Sequence, residues 1–337
     1  MTMEVAVIGT GAMARKHSRI LSHHPQAKLS VICSTPRSLE TAREFQTEYG
    51  FDRAVDSFDD VLRSESVDAL VICSPDETHC DFVLRALAAG KHVLCEKPLA
   101  RSRREFDAIS KAQSSGDATL QVGMNCRYRA PYLRPRELAQ DLGSLRFLRG
   151  TYLLNKVSTV KGGRKSWWSE SQDGSYFFLH ANAVHILDLM RWFAGPVKSV
   201  YARAACHELK ENFHADTFSL SLEFCSGALG ELLMSLAAFQ PREVELQAWY
   251  DKGTIRGDRL YRRKGDQILP EVEEIDTSQP LLDLHLQFDD FVRTVKEGRK
   301  PMNNLKEAQA NFELIQAVER SLQMGGPVAL NEPAVTR

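Results

Sequence analysis

The sequence has no C-x-x-C pair, almost no net charge and no long apolar run. Its seven cysteines, at 33, 73, 80, 95, 126, 206 and 225, are an odd number without metal-type spacing. Several lie in or beside apolar stretches, where cysteine acts as a small hydrophobe. A disulfide framework is therefore not expected, and a reducing cytoplasm fits. Lys and Arg total 43 against 44 Asp and Glu, a formal charge of −1, which removes the bulk electrostatic case for nucleic acid or a membrane surface. The basic run Arg101 to Arg104 reads as solvated helix face. No segment approaches the roughly 18 apolar residues of a membrane span. The start MTMEVAVIG has no basic region leading into an apolar stretch, so no secretory leader is expected. Internal repeats and low-complexity linkers are also lacking.

What is there is a globular composition, 43% hydrophobic and 26% charged over 337 residues. That length is enough for two domains, expected here at 1–124 and 125–337. Val5 to Ile8 is continuously apolar, as a parallel strand covered on both faces should be. A helical pattern follows, with Met13, Ile20 and Leu21 on its apolar side. Leu29 to Cys33 reads as a strand, Leu39 to Tyr49 as a helix and Ala69 to Cys73 as a strand. A helix capped by Thr78 and ended by Gly90 comes next, then a strand over His92 to Cys95. Strands alternating with helices in this way predict an α/β domain with a doubly wound parallel sheet.

Between the first strand and helix stands Gly9-Thr10-Gly11-Ala12-Met13-Ala14, a G-x-G-x-x-A pattern. In that context it predicts dinucleotide binding: Gly9 for the turn, Gly11 for close approach of a pyrophosphate, and Ala14 for helix-to-strand packing. The helix N-terminus adds free N–H groups and partial positive charge. Cofactor contacts are expected from Gly9, Thr10, Gly11, Ala12 and Met13. The second strand ends in Cys33-Ser34-Thr35-Pro36-Arg37, without the carboxylate that holds the ribose hydroxyls of NAD. With Ser34, Thr35 and Arg37 there, NADP(H) is the preferred cofactor and NAD(H) the alternative.

Residues 68–100, DALVICSPDETHCDFVLRALAAGKHVLCEKPLA, complete a further pattern. With Gly9, Gly11 and Ala14, then Ser74-Pro75 and His79, then Glu96-Lys97-Pro98, and later HILDLMRW with His185 and Asp188, the chain resembles the Gfo/Idh/MocA oxidoreductases. The resemblance covers most of the sequence, and GKHVLCEKP is its most specific part. It implies an N-terminal Rossmann domain and a C-terminal α+β domain with a large, mostly antiparallel open sheet. That sheet would pair subunits, giving a homodimer or homotetramer. The second half agrees: strand-like runs occur at 145–154, 198–206, 217–225, 228–236, 243–250 and 254–262. Helical patterns follow at 282–297 and 305–323, and the polar stretch 155–175 reads as a long loop.

The resemblance also implies residue roles. Ser74, Pro75, His79, Glu96 and Asn125 would join Lys97 around the cofactor. Lys97, taken alone, could be a surface lysine at a strand exit; the flanking motif makes it the catalytic lysine. An ammonium there would stabilise alkoxide character during hydride transfer. His185 would face the substrate as the acid or base, its ordinary pKa suiting proton transfer near neutrality. The chain departs from the family pattern at Ala181, where many members carry Asp four residues before that histidine, and after Gly174, where further glycines are missing. His180 and Asn182 flank the gap and are candidates for the missing role. Arg127, Tyr128, Trp167 and Trp168 are candidates for a substrate wall, since Tyr and Trp offer a flat apolar face with a polar handle. No metal site is expected, because His180 and His185 are not at the i, i+4 spacing of helical ligands.

The resulting expectation is an NAD(P)-dependent oxidoreductase acting on a small polyol, sugar, cyclitol or sugar derivative. Two rivals accompany it: a reductase of an imine or another C=N or C=O substrate, and a non-catalytic cofactor-bound sensor.

Overall fold

The computed structural model describes residues 2–157, 177–210, 214–265, 271–276 and 283–330. Two compact units emerge, each made of separate stretches. The first is Met1–Tyr128 with Leu281–Gln309; the second is Arg129–Pro280 with Ala310–Arg337.

The first unit is built on a six-stranded parallel sheet. Its strands are β1 (Met3–Ile8), β2 (Ala27–Cys33), β3 (Arg53–Val55), β4 (Ala69–Ile72), β5 (His92–Cys95) and β6 (Leu120–Val122), in the spatial order β3-β2-β1-β4-β5-β6. This is the doubly wound order whose direction reverses between β1 and β4, the place where such sheets open a ligand crevice. The strands are apolar because both faces are covered: Val5, Ala6, Val7, Leu70, Val71 and Ile72 are fully buried. Helices α1 (Ala12–Leu21), α2 (Leu39–Tyr49), α3 (Phe58–Leu62), α4 (His79–Ala88) and α5 (Arg103–Ser114) follow successive strands. Gly90, at φ +71°, closes α4 as expected. Arg101, Arg103 and Arg104 lie exposed where α5 begins, behind its Ser102 cap.

One expectation changes here. The buried stripe of α1 is Ala14, His17, Ser18 and Leu21, with Met13 and Ile20 only half-buried. Two polar side chains therefore sit on the inner face of that helix. The first unit also takes in a later stretch, 281–309. A late helix, labelled α8 below (Asp283–Glu297), puts Phe288, Phe291 and Val292 into the same core as Val5, Val7, Leu29, Phe45 and Leu94. An apolar stripe at i, i+3 and i+4 goes where it can be covered, whatever its distance in sequence. Burying these side chains contributes about 1.5–3 kcal/mol each.

The second unit carries a nine-stranded sheet, β14-β13-β12-β11-β7-β10-β9-β8-β15. In chain order the strands are β7 (Leu145–Leu153), β8 (Val197–Ala205), β9 (Thr217–Phe224), β10 (Leu229–Ser235), β11 (Glu243–Tyr250), β12 (Gly253–Arg256), β13 (Arg259–Arg262), β14 (Glu271–Glu274) and β15 (Val328–Ala329). Only β7 and β10 pair in parallel; every other pairing is antiparallel. The single strand expected over 254–262 is a hairpin, because Gly257 at φ +60° begins a two-residue loop between Arg256 and Arg259. Helices α6 (Ala130–Leu138), α7 (Val184–Ala194) and, from residue 310 on, α9 (Leu305–Met324) belong to this unit, with a π-helical stretch Phe177–Ala183 leading into α7. Among the described residues, no helix is long and apolar enough to cross a membrane.

Candidate functional site

In the first unit, the loop after β1 has the geometry its glycines predict. Gly9 adopts φ +105°, and a Cβ there would lie 2.8 Å from the Cys73 carbonyl oxygen. Only glycine fits between the ends of β1 and β4. A Cβ on Gly11 would meet nothing within 4 Å, so that backbone opens outward. Gly11 is the N-cap of α1, no side chain caps the helix, and its first turn holds no acidic residue. An uncapped N-terminus facing open space suits the pyrophosphate of a dinucleotide. Thr10 is half-buried beside the glycines, Ala12 is exposed and Met13 half-buried. Ala14, fully buried, keeps α1 against the sheet. At the end of β2, Ser34 is half-buried while Thr35 and Arg37 are exposed on the turn before α2.

Lys97 leaves the carboxyl end of β5, half-buried, with a cis bond to Pro98. Burial pulls its ammonium below the ordinary lysine value, against the opposing charges of Glu96, Cys126 and Asp76. Glu96 is buried, and its Oε1 is 2.9 Å from His17 Nε2 on α1. Burial pushes the Glu96 carboxyl up, yet the His17 hydrogen bond and the charges of His17, Lys97 and His79 prevail and hold it below its usual range. The carboxylate thus accepts a hydrogen bond from His17 Nε2–H.

Several residues expected at the cofactor or substrate have polar atoms engaged within the first unit. His79 is buried, with Nδ1 at 2.7 Å from the Pro98 oxygen and Nε2 at 2.9 Å from the Ser74 oxygen. Both ring nitrogens are therefore spent on joining the loops after β4 and β5. Ser74 Oγ accepts from the Thr78 hydroxyl at 2.7 Å, and Pro75 is exposed. Asn125 donates to Asp283 Oδ2 at 2.7 Å. Arg127 donates to Met302 O at 3.2 Å and Glu307 Oε2 at 2.9 Å, and Tyr128 donates to Asp290 Oδ2 at 2.6 Å. Arg127 and Tyr128, the expected substrate-wall residues, are buried. Both polar ends are held by the 281–309 segment of their own unit.

In the second unit, His185 is half-buried in the first turn of α7. His180 is buried, with Nε2 3.1 Å from Glu319 Oε1 and its ring against Phe312. Ala181 is buried and Asn182 half-buried. Asp188, fully buried, accepts from Asn311 Nδ2 at 2.7 Å, and Arg191 donates to Asn311 Oδ1 at 2.7 Å. Asn311 therefore bridges the charges that the i+3 spacing of Asp188 and Arg191 put side by side. Trp167 and Trp168 lie outside the described residues, as does most of the expected 155–175 loop.

Among the described residues, one cluster has the composition of a metal site: His24, His285 and Asp289 in the first unit. His24 Nε2 is 3.2 Å from Asp289 Oδ1, but His24 Nδ1 accepts the Gln26 backbone N–H at 3.2 Å. A neutral ring accepting at Nδ1 carries its proton on Nε2, the atom a metal would need. This chemistry does not fit a metal.

His17, Gly123 and Asn311 were not singled out by the sequence reading. His17 had a signal: three residues past Ala14, it is a polar group on the inner stripe of a helix. Asn311 had none, since its partners are more than a hundred residues distant.

Known proteins resemble this chain in both halves. A family profile described as an oxidoreductase family with an NAD-binding Rossmann fold matches residues 3–124, and a GFO/IDH/MocA C-terminal domain profile matches residues 133–256. The 4-carboxy-2-hydroxymuconate-6-semialdehyde dehydrogenase of Sphingobium sp. is 26% identical, covering 96% of this chain and 100% of its own. The myo-inositol 2-dehydrogenase of Thermotoga maritima is 25% identical, covering 98% and 99%. Among solved structures, an oxidoreductase domain protein from Kribbella flavida superimposes with a TM-score of 0.87 at 22% identity, covering 98% of this chain and 100% of that one. A levoglucosan dehydrogenase in complex with NADH gives 0.84 at 20% identity, covering 99% and 100%. At that identity these structures speak for the fold.

Proposed function

The chain belongs to the Gfo/Idh/MocA family of oxidoreductases, and on that premise we propose that it transfers a hydride between NADP(H) and a carbon of a small polyol, sugar, cyclitol or sugar derivative. The observation that carries this reading is Lys97, an ammonium held below its ordinary pKa at the strand end of the unit that also offers an open, uncapped helix N-terminus. Gly9 to Met13 and that N-terminus would hold the pyrophosphate, and Ser34, Thr35 and Arg37 a 2′-phosphate. Bound there, the nicotinamide supplies the hydride chemistry. Lys97 stabilises negative charge on the reacting oxygen. His185 holds or moves the substrate proton. A preference for NADP(H) draws support from the exposed Arg37 and the lack of a carboxylate at residues 33–37.

A second reading, reduction of an imine or other C=N or C=O substrate, is favoured by one feature. Ala181 leaves out the carboxylate through which the family pattern would hold a substrate hydroxyl.

We also propose that a second copy covers the outer face of the large sheet. Leu229 and Leu233 on β10 and Val272 on β14 are exposed apolar side chains on regular strands. Sedimentation should give a dimer or tetramer, and a monomer at micromolar concentration would reject this.

The test of activity is nicotinamide absorbance with NADP⁺ and NAD⁺ against sugars, cyclitols and sugar nucleotides, with ketones and imines in reverse. Turnover abolished in Lys97→Met supports the dehydrogenase. Tight cofactor binding with no turnover anywhere would move the reading to a sensor.

A further inference from the structure

The buried His17–Glu96 contact, next to Lys97 along the chain, sits in a seat built for it. A Cβ on Gly123, just past β6, would come within 2.9 Å of Glu96 Cα, 3.0 Å of its Cδ and 3.1 Å of its Oε1. The carboxylate has room only because residue 123 is glycine. The main chain needs no such help: Glu96 N donates to Ile72 O at 2.9 Å, and Gly123 N donates to Cys95 O at 2.7 Å, so the sheet already fixes this strand end. A carboxylate buried against an imidazole is also a poor stabiliser, since apolar residues of similar volume often serve as well or better. Its position suggests another use. His17 lies one turn beyond the phosphate loop, and Glu96 immediately precedes Lys97, so the contact joins the cofactor helix to the base of the lysine.

We propose that His17 and Glu96 are positioning residues that set the orientation and the electrostatic surroundings of the Lys97 ammonium. This rests on the reading of Lys97 as the group at the reacting oxygen. Among the described residues of the first unit, the ionisable groups facing Glu96 include His17, Lys97, His79, Cys73 and Cys95, and those facing Lys97 include Glu96, Asp76 and Cys126. Burial alone would drive Lys97 toward its neutral form, and the Glu96 charge opposes it. Without that charge the lysine loses its proton more readily. Without His17, burial would neutralise Glu96 in part, with the same consequence at smaller size.

The experiment measures Lys97 directly, with no substrate: the pH dependence of its reductive methylation, read by peptide mass spectrometry on the full-length chain. Glu96→Gln keeps the shape and removes the charge, and should move the Lys97 titration down by about one pH unit. His17→Leu should move it the same way by less. His17→Gln, whose amide can still donate to Glu96, should return it toward the parent. If Glu96→Gln does not fold, the two His17 variants carry the test. A folded Glu96→Gln protein, or a folded His17→Leu protein, with an unmoved Lys97 titration overturns the pair. A moved titration with undiminished turnover in Lys97→Met overturns instead the catalytic reading of the lysine.

Discussion

In the first unit, the candidate groups stand at the carboxyl ends of parallel strands: Gly9 after β1, Ser34 after β2, Ser74 after β4, Lys97 after β5 and Gly123 after β6. In the second, His180 and His185 stand on a π-helical stretch and the helix that follows it, and the groups around them come from α9: Glu319 on His180, and Asn311 on Asp188 and Arg191. A parallel sheet gathers its strand ends on one edge, so neighbours in function are set by local turns repeated after each strand. The helical site of the second unit depends on a partner segment far along the chain. The contrast predicts that changes at strand ends act on chemistry and cofactor, whereas changes around α7 act first on stability.

The largest effect should come from Lys97→Met. Turnover should fall by about 10²–10⁴-fold, the usual worth of a positioned proton or charge group, while cofactor affinity measured by calorimetry stays within a few-fold. Equal loss of both would break the contrast, because it would make Lys97 a cofactor anchor. Next is Gly9→Val, which asks for a β-branched residue at φ +105° against the Cys73 carbonyl. The strain alone amounts to about 1–3 kcal/mol, and dinucleotide binding should be lost. Gly11→Ala, with open space around its Cβ, should leave the melting temperature unchanged and weaken only the cofactor. If both glycine variants behave alike, the loop is a turn and no cradle.

These differences also explain what the sequence disclosed. Apolar runs after which the chain turns at Gly9, Ser74 and Lys97 are local facts, so the parallel sheet and its motif residues could be read in order. The hairpin at Gly257 and the two-residue strand β15 are settled by pairing geometry and were not legible. Neither was the return of α8 to the first core, because periodicity tells which face of a helix is apolar and not which core will cover it. The same holds for Arg127 and Tyr128. Their residue types suit a substrate wall, while the hydrogen bonds of their polar ends to Glu307, Met302 and Asp290 span more than 160 positions of sequence.

On the second unit's side, Asn311→Leu leaves Asp188 buried without one of its donors. Losing one donor to a buried carboxylate costs about 1–3 kcal/mol, read as a drop in the urea midpoint, with the cofactor affinity of the first unit unaffected. A cofactor defect as large as the stability defect would show that the division between chemistry and stability is drawn in the wrong place.

The smallest expected effect is a pH dependence. Asp216 is fully buried, and its Oδ2 accepts the backbone N–H groups of His207, Glu208 and Leu209 at 3.0, 2.8 and 3.1 Å. Burial pushes this carboxyl up, but those N–H groups and the Thr217 hydroxyl outweigh it and hold it below the ordinary aspartate value. A carboxyl whose folded pKa lies below its unfolded one stabilises the fold fully above the unfolded value, about 3.9. The contribution fades as pH falls from there through the lower folded value. Asp216→Asn should therefore lower the melting temperature by a constant few degrees from neutrality down to about pH 5, with the gap narrowing below about pH 4. A gap that widened in acid would mean that the turn over 207–209 is held by something other than this charge, and the second unit would lose its clearest case of an ionised group spent on structure.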